Sequence, residues 1–240
     1  MKTLILTGIR RIGYEVAKEL LREGYRLVVV YRESREKAES LKEFGEVLPL
    51  QADLTKPESW DLVVEESVKH FGKIHGFIHL ASPYARKGVL EIKREDLYEY
   101  FTPVAEAFFF ISQKLYPIFM KNEGEVKGRI IAFGDWAIDC PYRDFSAYFI
   151  AKGALHTAVK VLAKEFAPHV LVNCIALGPV LKAEDYTEEE WKKILSRTPL
   201  RREVPIRDII SAVKFLLTAE GITGEVIRLD GGRHLAGTGV

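Results

Sequence analysis

The sequence of 240 residues predicts an α/β protein, a doubly wound parallel sheet of Rossmann type with helices on both faces. Two observations predict this fold. Short runs rich in Val, Ile and Leu alternate with longer stretches of helical period. The short runs are apolar on both faces, as strands covered on each side by helices must be. No Gly-, Ser- or Pro-rich linker interrupts the alternation, so we expect a single domain over residues 1–240.

The elements follow in order along the chain. The expected strands span 3–7, 26–31, 46–51, 74–80, 128–133, 170–176 and 224–229. The expected helices span 11–22, 34–44, 57–72, 95–120, 145–167, 187–197 and 206–218. The stretch 181–205 departs from this rhythm, since an acidic run is followed by Arg201 and Arg202. It is interpreted either as a solvated helix with a connecting loop or as a mobile lobe over a substrate.

Composition excludes several functional classes. The 35 basic and 34 acidic side chains leave a net charge of +1, so we expect no nucleic acid and no membrane surface as partner. Two cysteines and no apolar run of about 20 residues favour a cytoplasmic protein. The chain has only two Asn and two Gln beside many Lys, Arg and Glu. This depletion indicates a heat-adapted source, with compositional drift as the alternative.

A glycine-containing turn, Thr7-Gly-Ile-Arg-Arg-Ile-Gly13, joins the first strand to the first helix. A dinucleotide pyrophosphate binds at this position in such folds, against the unpaired N–H groups of the helix. The general pattern GxGxxG is absent, so dinucleotide binding is predicted from the position of the turn between the first strand and the first helix. Arg32 follows the second strand directly, and a basic residue there accommodates a 2′-phosphate. With Arg10 and Arg11 it favours NADP, whereas Glu33 would favour NAD if the strand ended one residue later.

Tyr148 and Lys152 lie four residues apart and therefore on one face of a predicted helix. A neighbouring ammonium group favours the phenolate, so we expect Lys152 to lower the pKa of Tyr148 toward a value useful for proton transfer. Taken alone, a Tyr-x-x-x-Lys pattern is also compatible with an ordinary core tyrosine.

The whole chain resembles the short-chain dehydrogenase/reductase family. The resemblance rests on the glycine turn, the Tyr148–Lys152 pair, Asp53-Leu54 after the third strand and the C-terminal Leu229-Asp-Gly-Gly232. In that family the tyrosine donates or accepts the proton, the lysine holds the nicotinamide ribose, and a serine thirteen residues before the tyrosine orients the substrate. The corresponding residue here is Asp135.

An aspartate at this position is similar to the branch of pteridine and dihydromonapterin reductases. Arg10-Arg11-Ile12-Gly13, Val30-Tyr31-Arg32 and Leu229-Asp-Gly-Gly-Arg-His-Leu235 resemble the same branch, and Tyr84 falls where it has an aromatic that stacks on the pterin. The resemblance implies an NADPH-dependent reductase of a dihydropteridine, in which an Asp–Tyr hydrogen bond relays a proton to the ring nitrogen. Three alternatives stay open: Asp135 as a turn cap, a general carbonyl reductase acting for example on 3-oxoacyl thioesters, and an NADP-binding sensor without activity.

The resemblance assigns roles residue by residue. The implied catalytic residues are Asp135, Tyr148 and Lys152, and the implied substrate-binding residues are Arg11, Tyr84, Asp135 and Tyr148. The implied cofactor-binding residues are Gly8, Arg10, Arg11, Ile12, Gly13, Arg32, Asp53, Leu54, Ala81, Ser82, Tyr148, Lys152, Gly178 and Val180.

The sequence also departs from the family. Val104 stands where the family has an asparagine that holds a relay water, and His79-Leu-Ala-Ser82 replaces its usual Asn-Asn-Ala segment. His75 and His79 lie four apart on a strand, and neither HExxH nor CxxC occurs, so we expect no metal. The aromatic run 108–110 is interpreted as core or subunit interface, which with the resemblance favours a homotetramer or homodimer.

Overall fold

A computed structural model describes residues 1–184 and 186–236. Its seven strands form one parallel sheet in the order β3-β2-β1-β4-β5-β6-β7, which confirms the predicted fold class. The strands are β1 Thr3–Thr7, β2 Arg26–Tyr31, β3 Val47–Gln51, β4 Gly76–His79, β5 Gly128–Asp135, β6 Val170–Leu177 and β7 Val226–Leu229. Strand β5 extends two residues beyond its expected end, which brings Asp135 into the sheet.

Eight α-helices lie within the described residues and pack on the two faces of this sheet. They are α1 Ile12–Arg22, α2 Arg35–Ser40, α3 Glu58–Phe71, α4 Arg94–Phe101, α5 Ala107–Phe119, α6 Ser146–Phe166, α7 Glu188–Ser196 and α8 Ile206–Thr218. None of the helices within these ranges is long and apolar enough to cross a membrane.

The expected long helix 95–120 is interrupted. Helices α4 and α5 are joined by a π-helical turn, Thr102–Glu106. Pro103 lies in this turn, and its missing N–H group removes one hydrogen bond of a regular helix. Val104, which replaces the family's asparagine, is fully buried in the turn.

Two apolar cores cover the sheet, one on each face, because successive strand residues point to opposite sides. In β1, Ile5 belongs to one core while Leu4 and Leu6 belong to the other. The aromatic run 108–110 lies on α5, and its residues differ in burial. Phe108 is fully buried in the first core, whereas Phe110 is 37% exposed and stacks on Trp60. The expectation of a core role is therefore confirmed for Phe108.

The chain reverses its direction of winding between β1 and β4, which are neighbours in the sheet. Gly8, just after β1, lies against the backbone that follows β4. A Cβ atom at Gly8 would stand 2.5 Å from the carbonyl carbon of Leu80 and 2.6 Å from the amide nitrogen of Ala81, and its φ is +82°. Only glycine combines this conformation with this close approach. The two strand ends are thereby held together at the carboxyl edge of the sheet, where ligands bind in such folds.

Gly8 and Gly24 offer a matched test of this close approach. Gly24 has nearly the same φ, +84°, but nothing lies within 4 Å of the Cβ it lacks. We expect Gly24→Ala to cost about 1–2 kcal/mol, the penalty of the left-handed conformation alone. Gly8→Ala should cost at least about 2 kcal/mol more, because it also collides with backbone. Chemical denaturation of both variants measures the two losses in the free energy of unfolding. Equal losses would show that the backbone of Leu80 and Ala81 moves to make room for the added methyl group at little cost.

Candidate active site

A cavity of about 1000 Å³ opens at the carboxyl edge of the sheet and collects most of the predicted site residues. Twelve of them line it: Gly8, Arg10, Arg11, Ile12, Gly13, Ser82, Tyr84, Asp135, Tyr148, Lys152, Gly178 and Val180. These residues come from four strand ends, those of β1, β4, β5 and β6, and from α1 and α6. The fold thus brings together residues as far apart in sequence as Gly8 and Val180.

The central contact of the cavity joins Asp135 to Tyr148. The Tyr148 hydroxyl donates a hydrogen bond of 2.8 Å to Oδ2 of Asp135. Lys152 lies one turn further along α6 and donates from Nζ to the carbonyl oxygen of Phe133 at 2.6 Å. All three side chains are buried. Strand β5 and helix α6 therefore hold a carboxylate, a phenol and an ammonium group in one connected arrangement.

Asp135 also serves as the turn cap that was the alternative to a catalytic role. Its Oδ1 accepts a hydrogen bond of 2.8 Å from the amide of Ala137, at the start of a 3₁₀ turn. The two carboxylate oxygens thus have different partners, and the two interpretations are compatible.

His156 on α6 binds the backbone of the same residue. Its Nε2 lies 3.3 Å from the backbone amide of Asp135 and accepts its hydrogen bond. Burial and the nearby Lys152 lower the pKa of His156 to about 4, which keeps this nitrogen unprotonated at neutral pH.

Burial governs the protonation of the three central groups. It raises the pKa of Asp135, although hydrogen bonds from Ala137 and Tyr148 oppose it. It also raises the pKa of Tyr148, and the adjacent Asp135 carboxylate raises it further. Burial and Asp135 thus hold the pKa of Tyr148 above its ordinary value, and the expected lowered pKa of this tyrosine is wrong. Burial lowers the pKa of Lys152 itself to about 8.

Aromatic side chains form the wall next to this group. Tyr84 stacks on Phe145 with ring centroids 4.6 Å apart and presents its edge to Tyr148 at 5.0 Å. Its hydroxyl lies 3.1 Å from that of Tyr142 and 3.0 Å from that of Tyr186. The cavity therefore has flat apolar surfaces with polar groups at their edges, which suits a planar heterocycle.

The glycine turn meets the stretch 181–205 across the mouth of the cavity. Arg10 forms an exposed ion pair of 2.7 Å with Glu184, and Arg11 donates to the carbonyl oxygen of Lys182 at 2.6 Å. Arg32, which was expected to favour NADP together with these two arginines, pairs with the adjacent Glu33 at 3.1 Å. Asp185, part of the acidic run in this stretch, lies outside the described residues.

The turn nevertheless fits the phosphates of a dinucleotide. Gly8 lacks the Cβ that would fill the approach to Leu80, and the side chain of the N-cap residue Arg11 makes no capping hydrogen bond to the first turn of α1. Its leading amides therefore face the cavity as donors for an anion.

Four predicted residues do not line the cavity. Arg32 follows β2 and has an exposed side chain, and Ala81, two residues after β4, is half-buried. Asp53 accepts two hydrogen bonds from Thr55, and Leu54 is buried with its carbonyl oxygen bound by Trp60. Arg32, Asp53 and Leu54 follow β2 and β3, so they lie on the same sheet edge but further from Asp135.

The two histidines singled out in the sequence form hydrogen bonds at opposite ends of β1. His75 accepts a hydrogen bond of 3.0 Å from the amide of Thr3, and Nδ1 of His79 lies 2.9 Å from the hydroxyl of Thr7. His79 is buried, and burial lowers its pKa to about 3. No cluster of three or more potential metal ligands occurs in residues 1–184 and 186–236.

Several residues of the cavity were not predicted from the sequence: Trp136, Tyr142, Tyr186, Trp191, Arg197 and Arg233. Trp136 directly follows Asp135, and Arg233 belongs to the C-terminal motif that carried the resemblance, so both had a signal in their position. The other four lie in loops or on α7, where no periodic pattern marks a side chain as facing a ligand.

The chain belongs to the short-chain dehydrogenase/reductase family. Residues 8–234 match the family model described as enoyl-(acyl carrier protein) reductase. Members bind a nicotinamide cofactor, and the chain is an oxidoreductase of this family.

Individual relatives differ in activity. The enoyl-[acyl-carrier-protein] reductase [NADH] of Bacillus cereus is 26% identical over 259 residues, with 98% of each chain covered. The dihydromonapterin reductase of Enterobacter sp. is 27% identical over 232 residues, covering 97% of this chain and 96% of that protein. Among solved structures, the FolM alternative dihydrofolate reductase 1 of Brucella suis, in complex with NADP, superposes with a TM-score of 0.89. It is 25% identical, with 98% of this chain and 95% of that chain covered. The match to the pteridine-reducing branch is thus confirmed as a similarity.

The buried Lys152 makes stability depend on pH in a predictable direction. Its pKa falls from 10.5 to about 8 on folding, so between these values the unfolded chain binds more protons than the folded protein. The free energy of unfolding should therefore rise with pH from 8 to about 9.5, on the order of 1 kcal/mol per pH unit. Thermal unfolding of the wild type and Lys152→Met, across this range, isolates the contribution. Parallel curves for the two proteins would contradict it.

Proposed function

We propose that this oxidoreductase reduces a dihydropteridine with hydride from NADPH. The observation that carries the proposal is the buried hydrogen bond of 2.8 Å from Tyr148 to Asp135 within an aromatic-lined cavity. A carboxylate at this position is unsuited to hold a carbonyl oxygen, which needs a hydrogen-bond donor. It suits a pteridine, whose ring presents N–H and amino donors beside the C=N bond to be reduced.

The residues of the cavity supply the proton chemistry. A bound nicotinamide cofactor supplies the hydride. Tyr148 then donates its proton to the ring nitrogen next to the reduced carbon, and Lys152 stabilises the phenolate that is left. Asp135, whose pKa burial raises, binds a proton from solution and returns it to Tyr148. Tyr84 contacts the face of the ring, and the stretch 181–205 covers the substrate as a lobe of a single-domain chain.

Cofactor choice rests on the ends of β1 and β2. Gly8, Gly13 and the amides of α1 would hold the pyrophosphate. Arg32 is 62% exposed in its side chain and forms an ion pair with the exposed Glu33, so a 2′-phosphate can replace that weak partner. The NADP complex of the Brucella suis relative supports this preference, whereas the NADH-dependent Bacillus cereus relative supports the opposite one.

A second candidate function is reduction of an acyl thioester. The Bacillus cereus relative, named an enoyl-[acyl-carrier-protein] reductase, supports it, as does the family model that matches the chain. The two functions separate in one assay, in which NADPH and NADH oxidation are followed with a dihydropteridine, a 2-enoyl thioester, a 3-oxoacyl thioester and no acceptor. Turnover only on a thioester would overturn the leading proposal, and cofactor binding without any turnover would favour a sensor.

Substitution of Asp135 tests the proton relay. Asp135→Ser should lower kcat on a dihydropteridine about 10²–10⁴-fold, because the carboxyl group that reprotonates Tyr148 is lost. Serine can still accept the hydrogen bond from Ala137, so stability should change by no more than about 1 kcal/mol. Asp139→Ser, the same change at an exposed site four residues further on, is the control. Near-wild-type turnover in Asp135→Ser would exclude the relay.

Substitution of Arg32 tests the cofactor preference. Arg32→Ala should weaken NADPH binding by about 1.5–3 kcal/mol, the contribution of a charge-assisted hydrogen bond, and leave NADH binding nearly unchanged. Titration of intrinsic fluorescence with each cofactor measures both affinities. Arg22→Ala removes the same charge from the far end of α1 and serves as control. Equal loss for NADPH and NADH would show that Arg32 does not contact the 2′-phosphate.

A further inference from the structure

Two arginines, Arg197 and Arg233, line the cavity on the side away from the glycine turn. Arg233 follows β7, the edge strand, while Asp135 ends β5 and Gly8 follows β1. In the strand order, Asp135 therefore lies between Arg233 and the turn that fits the pyrophosphate. A dinucleotide bound at that turn would extend its adenosine half toward β2 and β3 and its nicotinamide half toward Tyr148. Its phosphates would stay at the turn after β1, so they do not account for these two arginines.

Arg233 is held in place by its neighbours. Its Nη1 donates a hydrogen bond of 2.8 Å to the carbonyl oxygen of Arg197, and its guanidinium lies 5.4 Å from the ring centroid of Trp136. Burial and the positive charge of Arg197 both lower the pKa of Arg233. Trp136 directly follows Asp135, so the arrangement connects the arginine pair to the central group of the site.

No carboxylate neutralises this pair. Within residues 1–184 and 186–236, neither Arg197 nor Arg233 forms an ion pair of 4.0 Å or less with an acidic side chain. Asp230, which acts electrostatically on Arg233, is already bound by the amides of Gly232 and His234 and by the His234 ring.

Glu190 is nearby but has other partners. One of its oxygens accepts from Arg86 at 3.0 Å, and the other accepts from the amide of Thr187 at 2.8 Å. Among the residues that the structure describes, Arg197 and Arg233 are thus two adjacent cations without an ion pair to a carboxylate, and both line a ligand cavity. Such a pair forms a receptor for an anionic group.

A ligand can extend from the site to this pair without crossing the protein interior. A second hollow of about 270 Å³ adjoins the main cavity, and the two share Tyr186, Ile194, Arg197 and Arg233 as lining. Tyr186 and Ile194 of the shared wall suit an uncharged spacer, and the two arginines belong to the same wall.

We propose that Arg197 and Arg233 bind the carboxylates at the end of the substrate's side chain. This inference rests on the proposed reduction of a dihydropteridine and narrows it to those that carry a glutamyl tail beyond an aromatic spacer, as dihydrofolate does. A dihydropteridine with a short neutral side chain, such as dihydromonapterin, leaves the pair unused. Arginine suits this task because its planar fork matches both oxygens of a carboxylate.

Dihydrofolate and its dimethyl ester provide the test, since they differ only in the two carboxylate charges. With NADPH, we expect the wild type to show about tenfold higher kcat/KM for the acid, which corresponds to about 1.4 kcal/mol. Arg197→Met and Arg233→Met should each lower kcat/KM for the acid about tenfold through KM, with kcat and the ester little changed. Arg207→Met, an exposed arginine on α8 that lies outside the lining of the cavity, is the charge control.

The outcomes separate this inference from the function on which it rests. Equal kcat/KM for acid and ester in the wild type, or equal losses on both in the arginine variants, would overturn the subsite and leave the pteridine reductase intact. No turnover of dihydrofolate, its ester or dihydromonapterin would overturn both. Arg197→Met guards against misfolding of Arg233→Met, because it keeps the backbone carbonyl to which Arg233 is bound.

Discussion

One buried ammonium group organises the centre of this protein. Lys152 on α6 donates to the carbonyl oxygen of Phe133 on β5, and this contact fixes the longest helix against the strand that ends in Asp135. Tyr148, one turn before Lys152, is thereby aligned with the Asp135 carboxylate. Burying a charge is unfavourable, and the lowered pKa of Lys152 reflects that. The unfavourable free energy arises at Lys152 alone. The hydrogen bond that Lys152 makes to Phe133 aligns Asp135 and Tyr148, the two groups to which we assign a role in proton transfer.

The fold class could be predicted from the sequence because apolar runs on a parallel sheet are covered on both faces and so contain few polar interruptions. The central site could also be predicted, since Asp135, Tyr148 and Lys152 lie on regular elements whose spacing fixes their geometry. Local chemistry was harder to predict. The sequence places Lys152 near Tyr148, but it does not reveal that Asp135 is nearer and that burial dominates, so the expected direction of the Tyr148 pKa was wrong.

Tertiary packing also decided two other features that the sequence did not predict, the residues of the cavity wall and the interruption of the expected helix 95–120. Tyr142, Tyr186 and Arg197 lie where no periodicity reports orientation, and only tertiary packing directs them toward a ligand. The expected continuous helix 95–120 overlooked Pro103, whose effect is a π-helical turn rather than a break because the flanking residues are buried on both sides. Arg10 and Arg32 were expected to favour NADP together, but in the structure each pairs with an exposed carboxylate, Glu184 and Glu33 respectively. The sequence shows that a long charged side chain can bind an anion, but it does not show which partner the side chain contacts in the folded protein.

The three hydroxyl groups that meet at Tyr84 come from segments separated by 58 and 102 residues. Such contacts close long loops, and loop closure is entropically costly until the packing that rewards it is complete. The wall of the cavity therefore exists only in molecules in which these three segments have been brought together. During synthesis the chain must extend well past Tyr186 before this wall can form, and past Arg233 before the cavity has its far end. A ligand that recognises the whole cavity therefore binds only chains in which these distant segments are assembled.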